Sequence, residues 1–274
     1  MPRQGGAGHR RPHDHDAGGA PELLAAKGEL RTEVWAALRA AKATRFPGPE
    51  GRIPNFVGAE AAAERLRGTD PWRAAATLKA NPDSPQWPVR QRALEDGKLV
   101  FMAVPRLAEE EPFFLLDPEQ LAGSAREASS IKGASASARP VGLDRLKPVD
   151  LVVAGTVAAG LDGARLGKGG GFSDLEFAVA SEAGLIGPDT VVVTTVHEAQ
   201  VLPAGEIPTT DHDVRLDLIV TPDRVIEIPR RKRRPAAGIR WDELTEEKIE
   251  AIPLLARLRA ARGSGPRTGL DQGA

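Results

Sequence analysis

Ten residues near the middle of the chain, Arg165-Leu166-Gly167-Lys168-Gly169-Gly170-Gly171-Phe172-Ser173-Asp174, hold four glycines and two cations between an apolar run and an amphipathic one. Upstream, Leu151-Val152-Val153-Ala154 reads as a buried strand; downstream, Leu175, Val179 and Ala183 recur at helical spacing. The glycines therefore occupy a strand-to-helix connection. Two readings of such a connection are open. One is a surface loop with glycines at turn positions. The other is a phosphate cradle: backbone N–H groups turn toward an anion, Lys168 and Arg165 add positive charge, and the following helix aims its positive end at the same place. Asp174 then stands where a metal ion bridging phosphates needs a hard oxygen ligand. The run is not a Walker A loop, which ends Gly-Lys-Ser/Thr, and a dinucleotide fingerprint would have glycine at Phe172.

The rest of the composition narrows the possibilities. A chain of 274 residues suffices for one large domain with tails, and a net charge of -1 gives no global attraction to nucleic acid or membrane. The absence of cysteine removes disulfides, thiolate metal sites and thiol nucleophiles. No apolar run is long enough to span a bilayer and the N-terminus has no hydrophobic signal core, so a cytoplasmic location is expected.

Residues 1–20 are Gly, Arg, His and Asp with hardly an apolar anchor and read as a disordered tail; a solvated tail accounts for His13-Asp14-His15-Asp16 better than a metal site. Residues 21–229 read as the folded domain. A helix is expected from Glu22 to about Arg45 on Leu23, Leu24, Leu30, Val34 and Leu38, ended by Pro47-Gly48-Pro49. A second follows at Ala59 to Arg67, then a weak strand at Ala74 to Leu78 and a helix from Trp87 to Glu95. Strands are expected at Leu99 to Val104, Leu151 to Ala154, Val191 to Val196, Leu216 to Val220 and Val225 to Ile228. Ala122 to Arg139 reads as a polar separator rich in Ser, Ala and Gly. Residues 230–274 comprise the basic run Arg230 to Arg234, a helix from about Trp241 to Arg262 and a Gly-rich end. Strands alternating with helices imply right-handed crossovers and a mainly parallel sheet covered on both faces.

In such a sheet ligands collect at the carboxyl ends of the strands. The glycine loop lies there, as do His197, Glu198 and Gln200 after one strand, with Asp211, His212 and Asp213 preceding another. Each alone is an ordinary loop residue, but carboxylates gathered near a phosphate cradle point to a metal-assisted nucleotide site.

Several phrases carry a resemblance. Lys27-x-x-Leu30-Arg31, Gly97-Lys98, Pro105-Arg106, the stretch from Gly163 to Gly171 with Asp174, then Gln200 and Asp213-Val214-Arg215-Leu216-Asp217 occur in the order seen in 5-formyltetrahydrofolate cyclo-ligases, also called methenyltetrahydrofolate synthetases. The subgroup of methenyltetrahydrofolate synthase domain-containing proteins is more similar still, through Lys79-x-Asn81-Pro82-Asp83, Val149 to Val153, Asp174-Leu175-Glu176-Phe177, Val196-His197 and Ile239-x-Trp241. The resemblance implies a three-layer α/β/α sandwich and an ATP- and Mg2+-dependent ring closure. In that reaction the formyl oxygen of 5-formyltetrahydrofolate is phosphorylated, N10 attacks the activated carbon, and phosphate leaves to give 5,10-methenyltetrahydrofolate. It further implies that Lys27 and Arg31 contact ATP phosphates, that Arg165, Gly167, Lys168, Gly169, Gly170, Gly171 and Phe172 form the phosphate loop, that Asp174 and Asp213 hold Mg2+, and that Asp83 and Gln200 touch the folate.

Those roles suit the chemistry. Lys27 and Arg31 are four residues apart, so a helix puts both on one face. Phosphoryl transfer needs charge neutralisation and positioning, which suits cations, and Lys168 and Arg165 are the residues expected to be catalytic. The chain departs from the family where the loop ends Phe172-Ser173-Asp174 instead of two tyrosines and an aspartate, where Asp83 replaces a glutamate, and where Ala154-Gly155 replaces a proline-containing turn. Competing readings are a paralogue that binds nucleotide or folate without turnover, and an RNA contact at Arg230 to Arg234, a run that reads more simply as a solvated connector. No membrane partner is expected; the oligomeric expectation is a monomer or small homo-oligomer.

Overall fold

A computed structural model describes residues 19–104, 107, 109–121, 123–210, 213–229 and 238–263. In chain order the elements are α1 (Gly19–Ala40), α2 (Ala59–Arg67), α3 (Asp70–Ala74), β1 (Thr77–Ala80), α4 (Trp87–Glu95), β2 (Leu99–Ala103), β3 (Phe113–Leu116), α5 (Ala125–Ala128), α6 (Ile131–Ser137), β4 (Arg139–Val141), β5 (Leu151–Val153), β6 (Ala158–Gly160), β7 (Arg165–Leu166), α7 (Phe172–Glu182), β8 (Val191–Thr195), β9 (Val201–Leu202), β10 (Leu218–Val220), β11 (Val225–Glu227), α8 (Glu246–Ala251) and α9 (Pro253–Gly263).

Eight strands form one sheet in the order β11-β10-β8-β5-β1-β2-β3-β4. The five central strands β10, β8, β5, β1 and β2 run parallel, with antiparallel strands at both margins. Successive residues of each central strand face opposite layers, as the period of two requires. Val100 and Met102 join one core with Leu151, Val153, Val193, Leu218 and Val220, packed under α2 and α4. Phe101 and Ala103 join the other with Val152, Val192 and Ile219, where Leu175, Phe177 and Val179 of α7 meet them. This is the α/β sandwich the alternating pattern implies.

The C-terminal helices belong to that second core. Ile249 and Ile252 are buried in it, and so are Leu254 and Leu255. One helix was expected over Trp241 to Arg262; two are found, because Pro253 lacks the N–H a continuous helix would need and instead starts α9.

Three other expectations shift. The weak strand at Ala74 to Leu78 begins at Thr77, because Thr69 caps α3 by accepting from the Trp72 N–H and Pro71 starts a helix that runs through Ala74. The separator from Ala122 to Arg139 contains α5 and α6, each started by a serine; Ser124 and Glu127 form a capping box. Leu24 is 65% exposed, so the buried stripe of α1 is Val34 and Leu38. No helix among the described residues is long and apolar enough to cross a membrane.

A second sheet, ordered β7-β6-β9, lies beside the first. β6 pairs antiparallel with β7 and parallel with β9. Val34 and Leu38 of α1 pack on it with Val157, Ala158, Ala164 and Leu166. The glycine run thus leaves from β7 of this small sheet, not directly from β5 as the apolar run at Leu151 suggested. That difference positions the site: the helix carrying Lys27 and Arg31 is docked on the hairpin that feeds the loop.

Candidate functional site

The glycine loop spans the gap between β7 and α7. Gly169 has φ +105 and Gly171 φ +67, backbone conformations that a β-carbon would strain. Gly171 is the N-cap of α7 and offers no side chain, so the helix begins with unsatisfied amides. Among the described residues none accepts a hydrogen bond from the N–H groups of Gly169 to Asp174. Residues 168–171 are exposed.

Each sequence-derived cation has a defined partner there. Arg31 donates from Nε to the Gly167 carbonyl at 2.7 Å, and a Cβ on Gly169 would lie 3.4 Å from its guanidinium carbon. Burial lowers the pKa of Arg31 from its ordinary value. Lys27 Nζ sits 2.7 Å from Asp213 Oδ2. Lys168 Nζ lies 3.2 Å from Asp83 Oδ1. Arg165, 4% exposed, donates to the Gly155 carbonyl at 3.1 Å and pairs through its other terminal nitrogen with Asp174. Its Nε is buried without an acceptor among the described residues.

The two acidic candidates come together as well. Burial pushes the Asp174 carboxyl up, but Arg165, the Val214 N–H and the charge of Lys27 outweigh it and hold the group below the usual carboxylate range. Val214 follows Asp213, and Lys27 pairs with Asp213 while its charge also acts on Asp174, so α1, α7 and the segment before β10 meet near one point. No cluster of three or more metal-ligating side chains occurs among the described residues. Magnesium does not require one, since it retains waters and takes one or two carboxylates together with phosphate oxygens. An ionised Asp174 beside Asp213, under a loop of free amides, fits a phosphate-bound Mg2+.

Asp83 and Gln200 fare differently. Asp83 reaches the loop, and a Cβ on Gly155 would lie 2.7 Å from its Oδ2. A side chain at position 155 would therefore press on the Asp83 carboxylate. Gln200 is 1% exposed. Its Nε2 donates to the Thr156 and Val157 carbonyls at 3.1 and 3.0 Å, and its Oε1 accepts from the His197 N–H at 2.9 Å. A side chain so enclosed braces the turn after β5 and has no face left for a folate. His197 and Glu198 are similarly committed, His197 Nδ1 to the Ala199 N–H and Glu198 to Arg224 and Thr221. Asp211, His212, Pro105, Arg106, His13 to Asp16 and Arg230 to Arg234 lie outside the described residues.

Beneath the loop is a polar network that the reading of residue types missed. Lys79 and Glu176, with side chains 2% and 4% exposed, form an ion pair between β1 and α7. Burial pushes the Glu176 carboxyl up against the pull of Lys79. Asn81 ties four segments together: its Nδ2 donates to Glu176, its Oδ1 accepts from the Gly155 N–H and the Ser173 hydroxyl, and its carbonyl accepts from Arg90. The buried Arg90 guanidinium also donates to the Pro82, Asp83 and Ser129 carbonyls, and burial lowers its pKa to about 10. Lysine inside a strand flanked by apolar residues is the one available sequence signal, since a charge at such a position requires a partner. A cavity of about 350 Å³ lined by Pro71, Asp150, Gly184, Pro188 and Thr190 opens at the amino ends of the strands, on the edge opposite the loop.

Residues 24–222 match the profile of the 5-formyltetrahydrofolate cyclo-ligase family. The chain is 37% identical over 242 residues to the methenyltetrahydrofolate synthase domain-containing protein of Bos taurus, an alignment covering 87% of this chain and 63% of the relative. The corresponding Mus musculus protein is 38% identical, covering 85% of this chain and 63% of the relative. The chain thus spans under two thirds of the length of these relatives. Among solved structures, 5,10-methenyltetrahydrofolate synthetase of Aquifex aeolicus aligns at 19% identity and TM-score 0.48, over 80% of this chain and 99% of that one.

Proposed function

The chain belongs to the 5-formyltetrahydrofolate cyclo-ligase family, and from that premise we propose that it converts 5-formyltetrahydrofolate to 5,10-methenyltetrahydrofolate at the expense of ATP, with Mg2+. The observation that carries the reading is the meeting of Lys27, Arg31, Arg165, Lys168, Asp174 and Asp213 at a glycine loop whose amides are free among the described residues. Polyphosphate carries concentrated negative charge, and its transfer is helped chiefly by positioned cations and N–H donors.

In this reading the free amides of Gly169 to Asp174 and the α7 N-terminus hold the phosphates, while Arg31 and Lys27 grip them from α1. Asp174 and Asp213 would hold Mg2+, which supplies further neutralisation of phosphate charge. Arg165 keeps Asp174 ionised and fixes its direction by pairing with it and with the Gly155 carbonyl. Lys168 is the cation at the seam, because it bridges the loop to Asp83, the residue assigned to the folate side. Exchange of its Asp83 contact for a phosphate oxygen would place it between the two substrates, where charge builds during transfer.

A second reading, nucleotide binding with little turnover, is favoured by one observation: the Gln200 amide is engaged by the Thr156 and Val157 carbonyls and is not offered to a folate. One assay separates the two. Purified protein with 5-formyltetrahydrofolate, ATP and Mg2+ should show a rise in methenyl absorbance that disappears without ATP and falls at least about a hundredfold in Lys168→Ala. Saturable ATP binding with no absorbance change would remove the first reading and leave the second.

A further inference from the structure

The matched family profile ends at residue 222, yet a residue beyond it reaches the loop. Lys248 of α8 places its Nζ 5.5 Å from the centroid of the Phe172 ring. A Cβ on Gly171 would lie 3.2 Å from the same nitrogen. Phe172, which stands where the family has a tyrosine, therefore has a cation over its ring.

The position is built by packing. Thr245 caps α8 by accepting from the Lys248 N–H, and Ile249 and Ile252 anchor the helix in the core that also receives Leu175 and Phe177 of α7. Lys27, Lys168 and Arg165 each face a carboxylate, and Arg31 faces a carbonyl. Lys248 has no carboxylate partner among the described residues. It stands beside the first turn of α7, the end of a helix where a cation is disfavoured and an anion favoured. A fifth cation at that place, with Arg165 Nε also lacking an acceptor among the described residues, leaves local positive charge that an anionic ligand would balance.

We propose that Lys248 is a phosphate-binding residue of this site, contacting the nucleotide's polyphosphate at the Gly171 end of the loop, so that the C-terminal segment forms one wall of the nucleotide site. This rests on the reading of the loop as a polyphosphate site. Titration calorimetry of the full chain with Mg2+ and a non-hydrolysable ATP analogue tests it. Lys248→Ala and Lys248→Gln should each weaken binding about tenfold, the loss of one charge-assisted hydrogen bond. Both should also flatten the salt dependence, whereas Glu250→Ala on the same helix should bind as the parent does. Lys248→Gln keeps much of the stem over Phe172, which separates lost charge from lost packing. Parent-like affinity and salt dependence in Lys248→Gln would overturn this inference alone. Failure of the parent itself to bind the analogue would overturn the nucleotide reading beneath it.

Discussion

Asp174 shows how one residue reconciles burial with charge. Desolvation alone would raise its pKa, yet Arg165, the Val214 N–H and Lys27 bring it below the ordinary range. A depressed carboxylate pKa stabilises the fold above the unfolded value of about 3.9, and this contribution is lost as pH falls through the lower folded value. The stability difference between the parent and Asp174→Asn should therefore be constant from neutral pH down to about pH 5 and shrink in more acidic solution. At neutral pH it should be about 2 kcal/mol, because Arg165 is left buried without its counter-charge while Asp174 itself keeps some solvent. Urea titrations across that range measure it, and a difference that grew in acid would contradict the assigned direction. At this same scale the sequence was informative about identity and silent about commitment. Arg165, Lys168 and Asp174 drew notice in the sequence because they lie in or next to the glycine run, whereas the role expected of Asp213 came from the family resemblance. That Gln200 is spent on the Thr156 and Val157 carbonyls was not legible, because a glutamine looks the same whether its amide faces solvent or a buried turn.

Among elements, the placement of α7 over β1 decides the loop's position. The Lys79 and Glu176 pair, with Asn81 beside it, joins the two where apolar contact would hold them less directionally. Removing one partner leaves a buried charge, or forces Glu176, whose pKa is already raised, to take up a proton. Lys79→Met alone should cost about 3 kcal/mol, while Lys79→Met with Glu176→Leu should recover most of that loss. A double-mutant cycle by chemical denaturation gives the coupling, and single and double variants of equal stability would show that the pair has no such role. Element boundaries were readable where local rules were strong. β2, β5 and β8 are runs of branched or apolar residues, and α4 has Pro88 in its first turn and ends two residues before Gly97. β6, Ala158–Gly160, was invisible because alanine and glycine carry no strand preference and pairing with β7 and β9 alone makes it a strand.

At the scale of the whole molecule, the two cores on either face of the sheet account for the fold, and the C-terminal helices are part of one of them. Leu255 is fully buried with Leu254 beside it. Leu255→Ala should destabilise the entire protein by about 3 kcal/mol in a single transition, as for any core truncation. A thermal melt in which the main transition is unmoved would instead make α8 and α9 an appendage. The same helices bring Lys248 to the loop, which joins stability and site in one segment.

The local order of residues was enough to determine an alternation of strands and helices, a mainly parallel sheet, and a glycine run suited to phosphate. Periodicity and chain stiffness act over a few neighbours, so they are written in neighbouring letters. Only tertiary packing decided that α1 docks on a small second sheet, that Asp213 meets Lys27 across 186 positions of chain, that Asn81 knots four segments, and that Lys248 overlies Phe172. Those contacts depend on which surfaces lose water together when the two cores close, and no short stretch of sequence carries that information.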